Sequence, residues 1–179
     1  MIIKNIDDWT HFLYNLSMKD FILNQEQLEY FIKVAKEIVF TPNYQKQKEF
    51  FAHGKTTVFD HQIHVAYLSF AYAIKNELIV DYKSLIRGAL LHDYYLYDWH
   101  KNKPFTFHGF KHNRTACKNA CRDFELNKIE KNIILSHMFP FTLFHYPKSK
   151  EALIVSKMDK RAASHEHREK GVEIYEHIF

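Results

Sequence analysis

Hydrophobic residues recur three or four positions apart along most of the chain, which is the spacing of one face of an α-helix. The apolar stripes predict helices that begin near Asn24, Val58, Asp81 or Ser84, Asn113, Asn127 and Ser149. Further helical pieces are predicted around Trp9 to Leu16, from Tyr44 to Phe51 and, as a charged last helix, from Ser164 to Phe179. Alternating apolar and polar runs never exceed a few residues, so an all-α fold is predicted.

Two of these helices begin with a sequence pattern typical of helix N-termini. Asn24 with Gln27, and Asn127 with Glu130, resemble capping boxes, in which two side chains satisfy free backbone N–H groups. The helix of residues 58–76 has apolar residues on two sides. It is therefore predicted to lie at the centre of a helical bundle.

A Gly-Lys-Thr sequence at residues 54–56 invites comparison with a phosphate-binding loop. The comparison fails because no glycine lies five positions before Gly54 and no apolar strand precedes it. Gly54 is instead predicted to end the preceding polar helix as a C-cap.

Composition narrows the class of protein. The chain has 179 residues, 46% hydrophobic and 26% charged, so one globular domain is expected. Its 25 basic and 21 acidic residues give a net charge of only +4, which disfavours nucleic acid as a partner and suits small anionic metabolites.

The cysteines and the absence of long apolar segments bear on the compartment. Cys117 and Cys121 are predicted to be core residues in a reduced compartment. No apolar segment has signal or transmembrane length, so a cytoplasmic protein without a membrane partner is expected, and a homo-oligomer is left open.

His92 and Asp93 continue apolar stripes of the helix predicted over residues 84–96. His92 follows Leu85 and Ala89, whereas Asp93 follows Ile86 and Leu90. An unpaired buried carboxylate costs several kcal/mol, so a cation or metal is expected beside it. A buried His–Asp hydrogen bond or a frayed helix end would explain the doublet equally well.

The chain has 13 histidines and 21 acidic residues, all of types that can bind a metal. Only six of them are singled out, because they lie on or beside apolar stripes. They come from five successive helices and are His61, His92, Asp93, His112, His137 and Asp159. Helical bundles build metal sites by such convergence. Imidazole and carboxylate donors without thiolate suit one or two divalent transition metals (Fe, Mn, Co, Zn or Ni), with Mg²⁺ as a further candidate.

The order of His61, Leu90-Leu91-His92-Asp93 and a late Asp159 resembles the HD superfamily of metal-dependent phosphohydrolases. The resemblance covers about residues 53–165. It implies an HD-domain helical bundle with short N-terminal and C-terminal helical additions. Residues 1–179 would form one domain, with 1–52 as the N-terminal extension and 53–165 as the HD core.

The resemblance also implies roles for individual residues. His61, His92, Asp93 and Asp159 match the four defining ligands, and His112 and His137 match the positions that hold a second metal. The implied reaction is hydrolysis of a phosphate mono- or diester, nucleotide-like or another small phosphorylated metabolite, by a metal-activated water.

Catalytic roles are predicted for Asp93 as a carboxylate shared by both metals and for cations near the ligands. Arg114 and Lys160 are the main candidates for stabilising phosphate charge, together with Arg87 and Lys111, although each could be a solvated surface residue. His108 is predicted to act as a ligand or as a proton donor to the leaving group.

The substrate branch stays open, because the Gly-Tyr-Pro signature of cyclic-dinucleotide phosphodiesterases is missing and Tyr94-Tyr95-Leu96 follows the doublet. A di-iron oxygenase of HD type and a non-catalytic HD signalling or binding module are the alternatives.

The other histidines are not predicted to bind metal directly. His64 either contacts the ligand His61 as a supporting partner or is exposed. The remaining histidines are predicted to be surface or loop residues: His53, His100, His145, His165, His167 and His177.

Overall fold

The computed structural model describes residues 21–97, 108–142 and 144–168. Within these ranges lie seven α-helices: α1 (Gln25–Val39), α2 (Pro42–Gln45), α3 (Val58–Lys75), α4 (Tyr82–Leu90), α5 (His108–Asp123), α6 (Lys128–Ser136) and α7 (Lys150–Arg168). A 3₁₀ turn (Lys46–Glu49) follows α2, and two short strands, β1 (Phe51–His53) and β2 (Thr56–Thr57), precede α3. The all-α prediction is confirmed. The helix predicted around Trp9 to Leu16 lies outside the described residues.

The central helix of the bundle is α3. Every residue from Val58 to Ala71 is buried, as its two apolar sides predicted. Helix α3 packs against α4 and α7, whereas α6 lies against α4, α5 and α7. Helix α1 packs on α4 and contributes to the same hydrophobic core, so it belongs to the body of the bundle.

The predicted capping boxes are present. In α1 the Asn24 side chain accepts from the Gln27 N–H at 2.9 Å, and the Gln27 side chain accepts from the Asn24 N–H at 2.9 Å. Asn127 and Glu130 make the same reciprocal pair at the start of α6, with both distances 2.9 Å. Both helices therefore begin where the local sequence specifies.

Gly54 does not end a helix, and that prediction is wrong. The polar helical segment stops at Glu49, and Gly54 lies in the turn of an antiparallel hairpin in which Phe51 pairs with Thr57. Gly54 has φ 58°, a left-handed conformation that glycine adopts without a steric penalty. The hairpin delivers the chain to Thr57, whose side chain caps α3.

Three helix boundaries also differ from prediction. Helix α4 ends at Leu90, so His92 and Asp93 lie in the turn that follows it. Helix α5 begins at His108, so Asn113 lies inside it and donates to the Leu135 carbonyl at 2.6 Å instead of capping. Helix α7 runs without a break to Arg168, so no separate helix begins at Ser164, and residues 169–179 lie outside the described part.

Cys121 is exposed and Cys117 is half-buried, which corrects the prediction that both are core residues. The buried face of α5 includes Ala116 and Ala120. Cys121 follows Ala120 directly, and one residue along a helix turns the side chain by about 100°, away from that face. Among the described helices, none combines the length and apolar character needed to cross a bilayer.

Helices α4 and α6 pack closely at Gly88. A Cβ atom built on Gly88 would lie 2.5 Å from Ile133 Cδ1 and 3.0 Å from Ile133 Cβ. The Cδ1 methyl can rotate away, but the Cβ is fixed to the α6 backbone. We expect Gly88→Ala to lower the free energy of unfolding by about 1–3 kcal/mol, the usual cost of overpacking. Urea unfolding measures this cost, which should shrink in an Ile133→Ala background. A Gly88→Ala variant as stable as wild type would contradict the close packing.

Candidate metal centre

Five structural elements bring the predicted metal-binding side chains to one place. His61 lies in the first turn of α3 and Asp159 lies on α7. The His92-Asp93 pair follows α4. His112 lies on α5, and His137 directly follows the last residue of α6. The rings of His61, His92, His137 and His112 succeed one another with centroids 4.9–5.2 Å apart.

One half of the cluster contains His61, His92 and Asp159. His61 Nε2 lies 3.2 Å from Asp159 Oδ1, and His92 Nε2 lies 3.7 Å from the same oxygen. His92 Nε2 is also 3.7 Å from Asp93 Oδ2. Three side chains from separate elements therefore direct donor atoms toward a common point.

The other half contains His112 and His137. Their Nε2 atoms are 2.8 Å apart, and each lies 3.3 Å from Asp93 Oδ1. Asp93 therefore faces His92 with one oxygen and this histidine pair with the other. Two groups of possible ligands result, His61–His92–Asp93 and Asp93–His112–His137, and they share Asp93.

The helix ends fix the orientation of two imidazoles. His92 Nδ1 lies 2.7 Å from the Ala89 carbonyl oxygen, and His137 Nδ1 lies 2.8 Å from the Ile134 carbonyl oxygen. The last carbonyls of a helix have no partner within it, so they are free to accept from a side chain. A carbonyl only accepts, so each Nδ1 carries the proton. In the neutral ring Nε2 then carries a lone pair directed into the cluster.

The backbone carbonyl of His137 is itself held by α7. Ser156 Oγ donates to it at 2.8 Å, and Lys160 Nζ donates to it at 3.2 Å. Lys160 also donates to the Ser156 carbonyl and hydroxyl oxygens, both at 2.9 Å. Lys160 thus lies beside the cluster, one residue after Asp159.

Glu166 supports His61, and sequence reasoning did not single it out. His61 Nδ1 lies 2.9 and 3.1 Å from its two carboxylate oxygens, and His64 Nδ1 lies 2.8 Å from one of them. The signal was present: Glu166 continues the α7 stripe of Asp159 and Ala162 at helical spacing. It was missed because Glu166 was assigned to a separate last helix beginning at Ser164.

His64 is buried and bonded to Glu166, so of the two predictions for it the exposed one is wrong. His165, predicted at the surface, is also buried, and its ring lies 5.8 Å from that of His64. Helix α7 runs through residue 165 and packs against α3, which explains the burial of His165. His100, His177 and the side chains of His53 and His108 lie outside the described part, so the role of His108 stays a prediction.

The carboxylates of the cluster are ionised. Burial alone would raise the pKa of Asp93, but the nearby His92 and His112 rings hold that pKa well below its ordinary value. Burial also opposes ionisation of Asp159, but His61 and His92 lower its pKa. Burial lowers the pKa of His137, with Asp93 only partly offsetting it. Burial would lower the pKa of His61, but Glu166 and Asp159 raise that pKa well above its ordinary value. The two carboxylates and His137 therefore have the protonation states that metal ligation requires, whereas His61 would lose its Nε2 proton when a metal binds.

The buried polar atoms fit a bound cation. His92 Nε2 and Asp93 Oδ1 are buried, and within the described residues neither makes a hydrogen bond of good geometry, although two histidine nitrogens lie 3.3 Å from Asp93 Oδ1. Unpaired buried polar atoms are costly, and a metal ion would satisfy both. The nitrogen and oxygen donors suit a divalent transition metal and include no thiolate from either cysteine.

The predicted cations occupy different surroundings. Arg114 Nε donates to His145 Nε2 at 3.2 Å. Arg87 is engaged in a separate network, donating to Glu130 at 2.7 Å and to Glu37 at 3.1 Å. Lys160, Arg114 and the exposed Lys111 therefore remain candidates for binding phosphate oxygens, whereas Arg87 stabilises the packing of α4 on α6.

Comparison with known proteins agrees with this arrangement. The HD domain family matches residues 58–164, more than half of the chain, and the match includes all six predicted ligands. Neither the curated proteins nor the solved structures contain a match to the sequence. The helical bundle, the ordered His, His-Asp and Asp residues, and the extent of the match together show that this chain belongs to the HD domain family.

Proposed function

We propose that this protein is a metal-dependent phosphohydrolase that cleaves a phosphate mono- or diester of a small metabolite. Members of the HD domain family are in general hydrolases of this kind. The observation that carries the proposal is the position of Asp93, whose two oxygens face separate groups of inward-directed histidine nitrogens. A carboxylate shared in this way suits a pair of divalent ions.

The six side chains divide into two sets of ligands. His61, His92 and Asp159 would hold one ion, His112 and His137 would hold the other, and Asp93 would contact both. Bound divalent ions would supply Lewis-acid polarisation of a phosphoryl oxygen and lower the pKa of a water molecule toward neutrality. The chain's part is to fix these donors, because the Ala89 and Ile134 carbonyls prevent His92 and His137 from rotating.

Charge on the phosphate oxygens needs cations beyond the metals. We infer that Lys160 supplies one, since its ammonium group is anchored at the His137 carbonyl and Ser156. Burial lowers its pKa, while nearby Asp159 opposes that shift. Arg114, paired with His145, is the second candidate, and His108 is the proposed proton donor to the leaving group.

Metal removal tests the proposal. Purified protein stripped with a chelator should lose phosphate release from phosphomonoesters, nucleotides or cyclic dinucleotides by at least about 100-fold, since metal ions supply several kcal/mol of transition-state stabilisation. Re-addition of Mn²⁺, Co²⁺, Fe²⁺, Zn²⁺ or Ni²⁺, each alone, should restore it, and phosphate release is measured directly.

The same preparations are assayed for oxygen consumption with each substrate. Substrate-dependent oxygen uptake without phosphate release would contradict hydrolysis and favour a di-iron oxygenase. Metal binding with neither reaction across the substrate set would favour a binding module.

A further inference from the structure

Glu166 lies two residues beyond the segment that the HD domain family matches, yet it is fully buried and contacts a predicted ligand. Its carboxylate oxygens lie within hydrogen-bond distance of two imidazoles. A buried carboxylate with no role beyond packing is costly. These contacts indicate a role for Glu166 in orienting the imidazoles that it binds.

We propose that Glu166 is a positioning residue that fixes the tautomer and the ring orientation of His61, so that His61 Nε2 offers a lone pair to a metal ion. This inference rests on the proposed metal-dependent function. It concerns the ligand set, however, and holds whether the ions catalyse hydrolysis or another reaction.

The reason lies in where His61 stands on its helix. His92 and His137 follow helix ends, where backbone carbonyls accept from their Nδ1 atoms. His61 stands inside α3, where the carbonyls of the preceding turn bond to helix N–H groups. It needs an acceptor from another element, and Glu166 on α7 supplies one at 2.9 Å.

His64 bonds to the same acceptor. It stands three residues after His61 on the same helix, and both Nδ1 atoms bond to the one carboxylate. An ionised carboxylate only accepts, so both Nδ1 atoms donate. The His61 ring is thereby turned with Nε2 toward Asp159, 3.2 Å away. With Asp159 ionised, Nε2 donates to it in the metal-free protein, and a metal ion would take the place of that proton. Carboxylate–histidine–metal arrangements of this kind also raise the basicity of the ligand.

Glu166→Gln is the shape-matched test. The amide offers one acceptor oxygen, and its NH₂ group would face His61 Nδ1 in either orientation, because both carboxylate oxygens contact that nitrogen in the wild-type protein. A His61 ring that accepts from the NH₂ group carries its proton on Nε2, which spoils it as a ligand. We expect metal affinity to fall about 10–100-fold, measured by calorimetric titration with Mn²⁺ or Zn²⁺. Glu130→Gln is the control, because Glu130 is equally buried but pairs with Arg87. It should lower stability and leave metal affinity unchanged.

A second measurement needs no variant. In Zn²⁺-loaded wild-type protein, long-range proton–nitrogen NMR spectra should show His61 protonated at Nδ1. The opposite tautomer, or wild-type affinity in folded Glu166→Gln, would overturn the inference. Weakened binding in this variant together with inactive wild-type protein would support it while the phosphohydrolase proposal fails. Wild-type protein that binds no divalent ion would overturn both.

Discussion

Asp93→Ala is expected to abolish metal-dependent turnover, with a loss of at least about 1,000-fold in kcat/KM. The substitution removes both oxygens that face the two histidine groups, so each proposed ion loses a ligand and the charge of the pair is no longer balanced. Metal content should fall below one ion per chain. Phosphate release and elemental analysis of the purified variant measure the two effects.

His64→Ala is the comparison for this prediction. His64 is as buried as the ligands, but the hydrogen bond that the structure describes for it joins Glu166 and no predicted ligand. Removing it leaves the bonds between His61 and Glu166 in place, so most of the turnover should survive. Equal losses in the two variants, with circular dichroism showing intact folds, would mean that Asp93 has no special role.

The second large effect concerns metal stoichiometry. Wild-type protein is expected to bind close to two ions per chain, and His112→Ala and His137→Ala are each expected to bind close to one. The reason is that the Nε2 atoms of both histidines lie 3.3 Å from Asp93 Oδ1, whereas His61, His92 and Asp159 form a separate group. Equilibrium dialysis followed by elemental analysis gives the count.

The outcome for the single variants distinguishes a binuclear from a mononuclear site. If wild-type protein saturates at one ion with every divalent metal, His112 and His137 only surround a single ion and the binuclear interpretation fails. The phosphohydrolase proposal would survive that result, because one ion can still activate water.

Helical spacing predicted the buried cluster where the ligands stand on regular helices. His61 and Asp159 lie on inward stripes of α3 and α7, as their spacing indicated. His92 and Asp93 were predicted to be buried for a partly wrong reason, since the helix ends at Leu90. They are enclosed because the turn after α4 is packed among the other helices. Periodicity alone does not say where a helix stops.

Contacts between segments that are distant in the sequence could not be predicted from local sequence patterns. The hairpin around Gly54 depends on strand pairing, and Asn113 bonds to the Leu135 carbonyl only because α5 packs on α6. Cap signatures such as Asn127 with Glu130 could be predicted, because both partners lie within one turn. The role of Glu166 could not be predicted without knowing that α7 continues past Ser164 and packs against α3.

The five-element origin of the cluster has a consequence for the lifetime of the protein. An ion bound there would tie together segments from residue 61 to residue 159, including all the helices from α3 to α7. Ligand at about 100 times its Kd raises the free energy of unfolding by about 2.7 kcal/mol. Proteases that attack transiently opened chains would then degrade the metal-loaded protein about 100-fold more slowly than the stripped protein. The supply of metal would therefore set how much of this protein persists, before any effect on its turnover.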